Sequence, residues 1–566
     1  MNEQAMEQPK SPALVTTIGE RCRVCYQCVR ECPAKAIRIA EGKAQVLSER
    51  CIGCGICVGV CAQKAKSVQS ALGRVRELLA GTEPVGAIIA PSFPAEFPDL
   101  QYRQVVGMIR ALGFGHVHEV AFGADLVAAE YRRLVDENHG RKLIATTCPA
   151  VVGYVERYHP RLVPSLAPVV SPMVAMARML RSRHGQDIRI VFIGPCIAKK
   201  REAARADLPG NVDAALTFAE LHELLAERQI DPRTVQPSDF DAPRGRGGRL
   251  FPISSGMLAA AEIQEDLVTG DVIVAEGAAQ FVQAIEEFEA GAMETRLLEV
   301  LCCNGCIMGP GMSTGLPQFG RRAKVSMYVR QRNAELDGHG WRERMLSYPD
   351  LDLSRQFRNN DMRMAAPSEE QLLRILAQMG KQRREEELNC GACGYPTCRD
   401  HAKAIHCGLA ETEMCLPFAI EELRRTVSDL GRTNEELANT QEALVRSEKL
   451  ASMGQLAAGI AHEVNNPLGV VLMYAHFLKD EAAENPQLQD DARMVVEQAD
   501  RCKKIVAGLL DFARQNKVHI EAVPLQALIE RGLRGVPRPE GIEVVTDNPL
   551  GERPLEVDPD QLTQVL

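Results

Sequence analysis

Two twelve-residue stretches near the amino terminus decide how the first part of this chain folds. Residues 22–33 read CRVCYQCVRECP, and residues 51–62 read CIGCGICVGVCA. In each stretch the cysteines are spaced by three, three and four positions. A turn with two intervening residues brings three thiolates round one corner, and the fourth thiolate points toward the other stretch. The spacing therefore predicts two inorganic clusters, each held by cysteines from both stretches.

This doubled spacing resembles the bacterial ferredoxins that carry two [4Fe–4S] clusters. We therefore predict a ferredoxin-like domain over residues 1–75, and a pair of zinc sites is the alternative. The ligands assigned to the first cluster are Cys22, Cys25, Cys28 and Cys61. Those assigned to the second cluster are Cys51, Cys54, Cys57 and Cys32.

The composition is that of a soluble multidomain protein. At about 150 residues per domain, 566 residues predict roughly four domains. A net charge of −9 argues against a broad role in binding nucleic acid or a membrane surface. No apolar run reaches the roughly 20 residues of a bilayer span, and the start MNEQAMEQPK carries no secretory signal. We therefore expect a cytoplasmic protein whose 19 clustered cysteines are metal ligands rather than disulfides.

Short apolar runs alternate with helical patterns between residues 80 and 365. The runs at 85–90, 117–120, 142–146, 188–193 and 271–275 are typical of buried strands. The stretches 100–112 and 173–183 have the pattern of helices. This alternation predicts an α/β domain with a mostly parallel sheet. Ligands usually bind at the carboxyl ends of such strands.

Three cysteine-bearing segments follow predicted strands in this region. They read ATTCP at 145–149, GPCIAKKREA at 194–203 and EVLCCNGCIMGPG at 299–311. One cysteine in each of two loops, together with a Cys-x-x-Cys loop, offers four metal ligands. A solitary buried cysteine such as Cys148 is more often a packing residue, but the joint pattern favours a site.

The three segments resemble the large-subunit core of iron-only hydrogenases, and APSF at 90–93 and SPM at 171–173 fit that family as well. In that family the segments hold a six-iron cluster, a cubane joined through one thiolate to a two-iron subsite with CO and CN ligands. The resemblance implies that Cys306 bridges to the subsite and that Lys199 hydrogen-bonds a cyanide ligand. The cubane ligands implied are Cys148, Cys196, Cys303 and Cys306, and Cys302 replaces Cys303 if the register shifts by one residue.

Two positions depart from the catalytic members of that family. Thr147 stands where they carry a proton-relaying cysteine, and a hydroxyl is a much poorer acid than a thiol. Gly194 stands where they carry a methionine, which we expect to open the wall of the cavity. Both changes are expected to slow turnover, as in the divergent sensory branch of the family.

A second cluster module is predicted over residues 366–419. Residues 389–415 read NCGACGYPTCRDHAKAIHCGLAETEMC. The pattern resembles a small four-cysteine iron–sulfur domain of electron-transfer and corrinoid-linked proteins, and zinc is the alternative. It implies a [4Fe–4S] cluster on Cys390, Cys393, Cys398 and Cys415. We expect Cys407 to be a spare buried thiol, and His401 and His406 to lie on a helix surface.

A heptad pattern follows in residues 420–446. Polar residues Asn434 and Gln441 interrupt the apolar seam, as expected of a parallel dimeric coiled coil whose register they set. The alternative is a single long surface helix. The apolar seam consists of Ile420, Leu423, Val427, Leu430, Leu437 and Leu444.

Residues 447–518 resemble the dimerisation and phosphoacceptor domain of histidine kinases. The motif is His462-Glu463 followed by Asn466-Pro467 within SEKLASMGQLAAGIAHEVNNPL, residues 447–468. A second amphipathic stretch at 488–512 follows a break at 484–486, so a helical hairpin is predicted that dimerises into a four-helix bundle. The resemblance implies that His462 accepts phosphate, Glu463 takes its proton and Asn466 orients water.

Residues 519–566 resemble the start of a kinase ATP-binding domain. The Gly-rich ATP loops of that family are missing from the sequence as written, so we expect this chain not to bind ATP or phosphorylate itself. The phosphoacceptor resemblance implies a homodimer and a response regulator as partners, and the hydrogenase-like core implies H₂ or an electron donor or acceptor. No nucleic acid or membrane is expected.

Together the segments predict a multidomain α/β and α protein with four [4Fe–4S] clusters, two in the head, one in the core and one in the module. The leading hypothesis is a redox- or hydrogen-sensing histidine kinase. The alternatives are a hydrogenase whose tail dimerises it and an iron–sulfur electron-transfer protein.

Overall fold

Two structural units divide the chain, Met1–Glu421 and Glu422–Leu566. The computed structural model describes residues 13–137, 140–265, 269–481, 486–514, 519–534, 541, 545–548 and 553–565. Most of the predicted break at 484–486 lies outside the described residues.

The head consists of two small antiparallel strand pairs and two short helices. Strand β1 pairs with β4, and β2 pairs with β3. Each cysteine stretch turns through positive φ at Tyr26 or Gly55 and then enters a four-residue helix. The elements in chain order are β1 Val15–Thr17, α1 Gln27–Arg30, β2 Ile37–Ala40, β3 Lys43–Val46, α2 Ile56–Gly59 and β4 Lys66–Val68.

The region that follows alternates strands and helices, as predicted. In chain order its first elements are α3 Leu72–Ala80, β5 Val85–Ile89, α4 Phe93–Glu96, α5 Tyr102–Ala111, β6 His116–Glu119, α6 Ala121–Glu137, β7 Leu143–Ile144, α7 Pro149–Tyr158, α8 Pro172–His184 and β8 Arg189–Gly194. The next are α9 Ala198–Ala203, β9 Ala214–Thr217, α10 Phe218–Glu227, α11 Gly256–Ala260, β10 Val272–Glu276, α12 Ala278–Glu289, β11 Leu297–Leu301, α13 Gln318–Ala334 and α14 Gly338–Leu346.

Two parallel sheets form the core, which confirms the predicted α/β architecture. One has the order β6-β5-β8-β9, and the other has the order β10-β11-β7. All their pairings are parallel. The strand predicted at 142–146 is shorter because the N–H of Thr146 is bound by the Tyr131 hydroxyl, at 2.7 Å, instead of a neighbouring strand.

The remaining elements begin with two helices of the small module, whose buried faces pack through Leu372, Leu376 and Ala402. The second unit then carries one very long helix, a second helix and a small antiparallel strand pair. In chain order these are α15 Glu369–Gln378, α16 Cys398–His406, α17 Leu416–Glu481, α18 Pro486–Arg514, β12 Glu521–Pro524, α19 Leu525–Arg534, β13 Pro554–Val557 and α20 Pro559–Val565. Among the described residues, no helix combines the length and apolar character that crossing a membrane requires.

Helix α17 runs without interruption through the predicted coil and the phosphoacceptor motif, with Pro467 in its interior. The predicted seam residues are exposed, with Leu423 at 64% and Leu437 at 54%. Buried positions are small, such as Ala457 and Ala461. The exposed apolar seam is therefore a surface that a single copy of the chain does not cover.

A buried ion pair joins β6 to the loop that precedes α11. Arg249 and Glu119 are both fully buried, and the guanidinium Nη2 donates to a Glu119 carboxylate oxygen at 2.9 Å. The Tyr328 hydroxyl donates to the same carboxylate, and Arg249 also donates to Asn333 at 3.0 Å. Removing one charge from such a pair leaves the other charge desolvated without a partner.

We therefore expect Glu119→Gln to lower the free energy of unfolding by about 3–5 kcal/mol. The control is Glu227→Gln, which removes the exposed pair with Arg76 and should lower stability much less, because solvent screens an exposed ion pair. Denaturant unfolding followed by fluorescence of Trp341, the one tryptophan of the chain, measures both. Equal losses in the two variants would contradict the structural role assigned to the buried pair.

Candidate functional site

Four cysteines of the core converge at the carboxyl ends of parallel strands. Cys148 follows β7 and caps α7, Cys196 lies between β8 and α9, and Cys303 and Cys306 follow β11. Burial together with the nearby Cys148 raises the pKa of Cys196 to about 11, and burial with Cys196 and Cys148 raises that of Cys306 to about 12. Burial, Cys196 and Cys148 raise the pKa of Cys303 as well. The structure thus brings together the four residues that the sequence predicted as one ligand set.

This donor set fits a soft metal or an iron–sulfur group. Cys196, Cys303 and Cys306 cannot all ionise without a cation between them, because burial and the repulsion of neighbouring thiolates both oppose the thiolate form. Thiolates are the ligands that soft metals and iron–sulfur clusters prefer. The backbone N–H groups of Ala198 and Lys199 point at Cys196 and lower its pKa, so the loop itself favours a thiolate there.

The alternative ligand Cys302 faces a different neighbour. It is buried next to Cys54 of the head, and the two thiols shift each other's pKa, that of Cys54 downward and that of Cys302 upward. The geometry favours Cys303 as the fourth member of the core group and places Cys302 between the core and the head.

The predicted subsite lysine is held by a buried carboxylate. The Nζ of Lys199 donates to Glu202 at 2.6 Å, and Ser171 and Arg355 donate to the same carboxylate at 3.0 and 2.7 Å. Burial raises the pKa of Glu202, but the charges of Lys199 and Arg355 outweigh it and hold that pKa below its usual value. Lys199 in turn lowers the pKa of Cys196 and Cys306, so its charge reaches the thiol site. Glu202 was not predicted from the sequence, although it lies one helical turn after Lys199.

The wall beside Gly194 is closed rather than open. A Cβ on Gly194 would lie 2.5 Å from the Phe192 ring and 2.8 Å from the Cβ of Ala90, so these two residues occupy that space. The expectation of an opened cavity wall was therefore wrong. Ser92, in the loop after β5, is fully buried, and its hydroxyl has no hydrogen-bond partner among the described residues. An unpaired buried hydroxyl next to this site fits a bound group with hydrogen-bonding ligands.

A second residue that was not predicted from the sequence is Glu299, on β11 at the start of the third cysteine segment. It is buried, its Oε2 has no partner among the described residues, and burial raises its pKa to about 8. The charge of Glu299 also raises the pKa of Cys306. The signal available in the sequence was an acidic residue inside the otherwise apolar run of β11.

The head brings its eight cysteines together in the two groups predicted from spacing. Burial and the neighbouring thiols of Cys22, Cys25 and Cys61 raise the pKa of Cys28. The second group, Cys32, Cys51, Cys54 and Cys57, lines one cavity. Backbone N–H groups donate to three of the eight sulfurs at 3.3 Å, from Ala36 to Cys32, from Gly53 to Cys51 and from Ala65 to Cys61. Such donors stabilise thiolate sulfur and tune cluster potentials.

The small module gathers its four predicted cysteines round another cavity, which is lined by Cys390, Cys393, Cys398 and Cys415. Cys407 is half-buried outside that cavity, and its thiol contacts the Ala365 carbonyl oxygen at 3.7 Å. His401 is buried, which contradicts the predicted surface position, whereas His406 is exposed. The His401 ring stacks on Tyr395 with a centroid distance of 5.3 Å, its Nε2 lies 3.1 Å from the Glu411 carbonyl oxygen, and burial lowers its pKa to about 4.

The three cysteine-rich regions of the first unit contact one another directly. A Cβ on Gly55 of the head would lie 2.4 Å from Pro310 and 2.7 Å from Ile197 of the core. A Cβ on Gly394 of the module would lie 3.1 Å from the backbone of Val29 in the head, and Arg30 donates to the Ala392 carbonyl at 3.3 Å. The head therefore lies between the core site and the module.

The predicted phosphoacceptor residues lie on α17. His462, Glu463 and Asn466 are all exposed, and Asn466 follows His462 by one helical turn. Exposure makes the imidazole of His462 accessible to a phosphoryl donor.

Comparison with protein families matches four segments of the chain. A model of the iron only hydrogenase large subunit, C-terminal domain, matches residues 83–310. A 4Fe-4S dicluster domain matches residues 15–62, and an Fe-S cluster model matches residues 386–417. A His Kinase A (phospho-acceptor) domain matches residues 452–517. The chain thus joins hydrogenase-like iron–sulfur domains to a histidine-kinase phosphoacceptor domain.

Individual relatives divide along the same line. The NADP-reducing hydrogenase subunit HndD of Solidesulfovibrio fructosivorans is 26% identical over 289 residues, which cover 46% of this chain and 46% of that protein. The sensor histidine kinase ZraS of Escherichia coli (strain K12) is 32% identical over 126 residues, which cover 21% of this chain and 27% of that protein. The chain therefore spans less than half of each of these relatives.

Among solved structures, the [FeFe]-hydrogenase HydA1 from Chlamydomonas reinhardtii aligns with a TM-score of 0.44 at 20% identity. The alignment covers 52% of this chain and all of that chain.

We expect Cys303→Ser to remove the metal of the core site, because a buried hydroxyl is a poor replacement for a thiolate ligand. Cys302→Ser, one residue away, should keep that metal and change only the group facing Cys54. Iron and acid-labile sulfide, measured on anaerobically purified protein, distinguish the two variants. Loss of iron in Cys302→Ser with retention in Cys303→Ser would reverse the assignment of the ligand.

Proposed function

We propose that this protein is a cytoplasmic sensor histidine kinase in which iron–sulfur groups of the first unit control phosphorylation at His462. The observation that carries the proposal is the order of contacts between cysteine groups. Cys302 of the core meets Cys54 of the head. Cys32 belongs to the same head group as Cys54. It lies near the Lys35 amine, and so does Cys393 of the module, since the charges of both thiols act to raise the pKa of Lys35.

In the proposal the head, the module and the core each bind at least one cluster. The head holds two [4Fe–4S] clusters on its two cysteine groups, the module holds one on its four cavity-lining cysteines, and the core holds one on Cys148, Cys196, Cys303 and Cys306. A two-iron subsite with CO and CN ligands would be held at the core cluster by Cys306, with Lys199 and Ser92 as its hydrogen-bonding residues. When bound, these groups exchange electrons, and the subsite reacts with H₂. The regions correspond to 1–75, 80–365 and 366–419, followed by 420–446, 447–518 and 519–566 in the second unit.

The chain itself supplies the connection from the module to the kinase part. Cys415 is the last cysteine of the module cavity, and α17 begins at the next residue, Leu416. A change of charge at the module therefore acts at the first turn of the helix that carries His462. The same helix presents the exposed seam of Leu423, Leu430 and related residues, which a second copy of the chain covers in a coiled-coil dimer.

At the phosphoacceptor site the imidazole of His462 acts as the nucleophile. Glu463, the adjacent residue, accepts the proton that the imidazole loses. Asn466, one turn later, orients water for dephosphorylation of a response regulator, the partner that receives the phosphoryl group. This transfer needs the exposed position that the structure gives His462.

The sensor role has one enzymatic rival, a hydrogenase with a dimerising tail. The buried pair of Lys199 and Glu202 beside the thiol site favours this second candidate, because it builds a charged wall for a bound group. An infrared spectrum of anaerobically purified protein tests for bound CO and CN⁻, and H₂ oxidation is then assayed on the same sample. Turnover typical of dedicated hydrogenases, with no effect of H₂ on phosphohistidine, would establish the rival.

We expect His462→Gln to abolish phosphohistidine in protein isolated anaerobically from its source cells after growth with and without H₂. His476→Gln is the matched control, because His476 lies on the same helix and is exposed as well. Phosphate-affinity gel electrophoresis, with acid lability as the criterion for phosphohistidine, measures both. Persistence of the H₂-dependent signal in His462→Gln would overturn the proposed phosphoacceptor.

A further inference from the structure

Three histidines that no proposed function uses lie together at one edge of the core. His116 and His118 are two residues apart on β6, and His184 is the last residue of α8. One ring nitrogen from each of the three lies within 4.8 Å of those of the other two. The His116 and His184 ring centroids are 4.5 Å apart. Residues from two elements of the chain, separated by 66 and 68 positions, thus present imidazoles to a single point.

His118 is the unusual member of the group. It is fully buried, yet neither ring nitrogen has a hydrogen-bond partner among the described residues. A neutral imidazole has one donor and one acceptor, and a buried polar group without a hydrogen-bond partner destabilises the fold. The acceptor nitrogen therefore has a free lone pair in a position where water does not reach it.

Burial and neighbouring charges keep the imidazoles of His118 and His184 neutral. Burial, followed by the neighbouring His116, His184 and Arg183, lowers the pKa of His118 to about 4, and Asp241 opposes the shift. Burial also lowers the pKa of His184. At pH 7 both rings are thus unprotonated, as a metal ligand must be.

One carboxylate and two cations complete the surroundings. Asp241 accepts the Val117 N–H at 2.8 Å and forms an ion pair with Arg110 at 2.9 Å. The Arg183 guanidinium donates a hydrogen bond to the Ala242 carbonyl oxygen at 2.8 Å. Asp241 therefore supplies negative charge beside the histidines, and both arginine side chains have other partners.

We propose that His116, His118 and His184 bind a divalent d-block cation of the zinc class. Three imidazoles with a fourth position left for water or a carboxylate form a familiar tetrahedral zinc environment. Metal–nitrogen distances of about 2.0–2.1 Å require the ring nitrogens to approach within about 3.3 Å of one another, roughly 1.5 Å closer than their present limit. His184 supplies that movement, because it is exposed, ends its helix and precedes Gly185 at φ 91°.

The proposed ion has a structural role. His116 begins β6, whereas the core thiols follow the carboxyl ends of strands, so the histidines lie at the other end of the parallel strands. The ion would join β6, an outer strand of its sheet, to the end of α8. It would stabilise the folded core by mass action, in proportion to the logarithm of the free metal concentration.

The test uses the full-length, cluster-loaded protein without a polyhistidine tag, titrated calorimetrically with Zn²⁺. We expect one site whose affinity falls at least tenfold in His184→Gln and in His116→Gln. His339→Gln is the control, because that histidine is exposed on α14, away from the group, and its affinity should match the wild type. Iron and sulfide contents identical to the wild type show that the variants fold.

Two further readouts decide the result. X-ray absorption at the zinc edge should show nitrogen or oxygen neighbours at about 2.0–2.1 Å, and Zn²⁺ should raise the midpoint of core unfolding in the wild type but not in His184→Gln. Sulfur neighbours at about 2.3 Å would overturn the proposal by placing zinc on the cysteines. Equal affinity in His184→Gln and the wild type would overturn it as well.

Discussion

The energetic cost of ionising buried, neighbouring thiols is the constraint on which the first unit depends. In the core, the head and the module, burial and neighbouring thiols hold the pKa of several cysteines well above the ordinary range. Such groups cannot ionise together unless a metal neutralises them. The loops that carry them wrap closely, with Gly55 and Gly305 at positive φ. Bound iron and sulfide would therefore contribute to folding as well as to function.

The same constraint explains the order of the domains in space. Clusters communicate only when their ligands lie close together, and the head provides ligands that face both ways. Cys54 lies next to Cys302 of the core. Cys32 and Cys393 of the module both lie near Lys35, where their charges act against the lowering of its pKa by burial. A signal that begins at the core thus has a route to Cys415, the residue before α17. In this view the small module is a relay at the start of the signalling helix.

Much of this arrangement was predictable because it rests on local spacing. The parallel strands, the long α17 helix and the grouping of cysteines all follow from short patterns, and the structure brings each predicted set together. The errors concern neighbours distant in the chain. His401 has the spacing of a surface residue but is buried under Tyr395, and the space beside Gly194 is filled by Phe192 rather than left open. The seam of α17 remains a predicted dimer surface, because one copy leaves it exposed.

The sequence by itself determined the type of chemistry, because cysteine spacing and the His462 motif are properties of single turns and single helices. It determined the parallel α/β class as well, through the alternation of strands and helices. Only the tertiary structure decided that Glu202 holds Lys199 and that three histidines meet beside Asp241. Each of these depends on which strands are neighbours in a sheet and how helices pack on it, and that order is set by the burial of many side chains at once rather than by any local pattern.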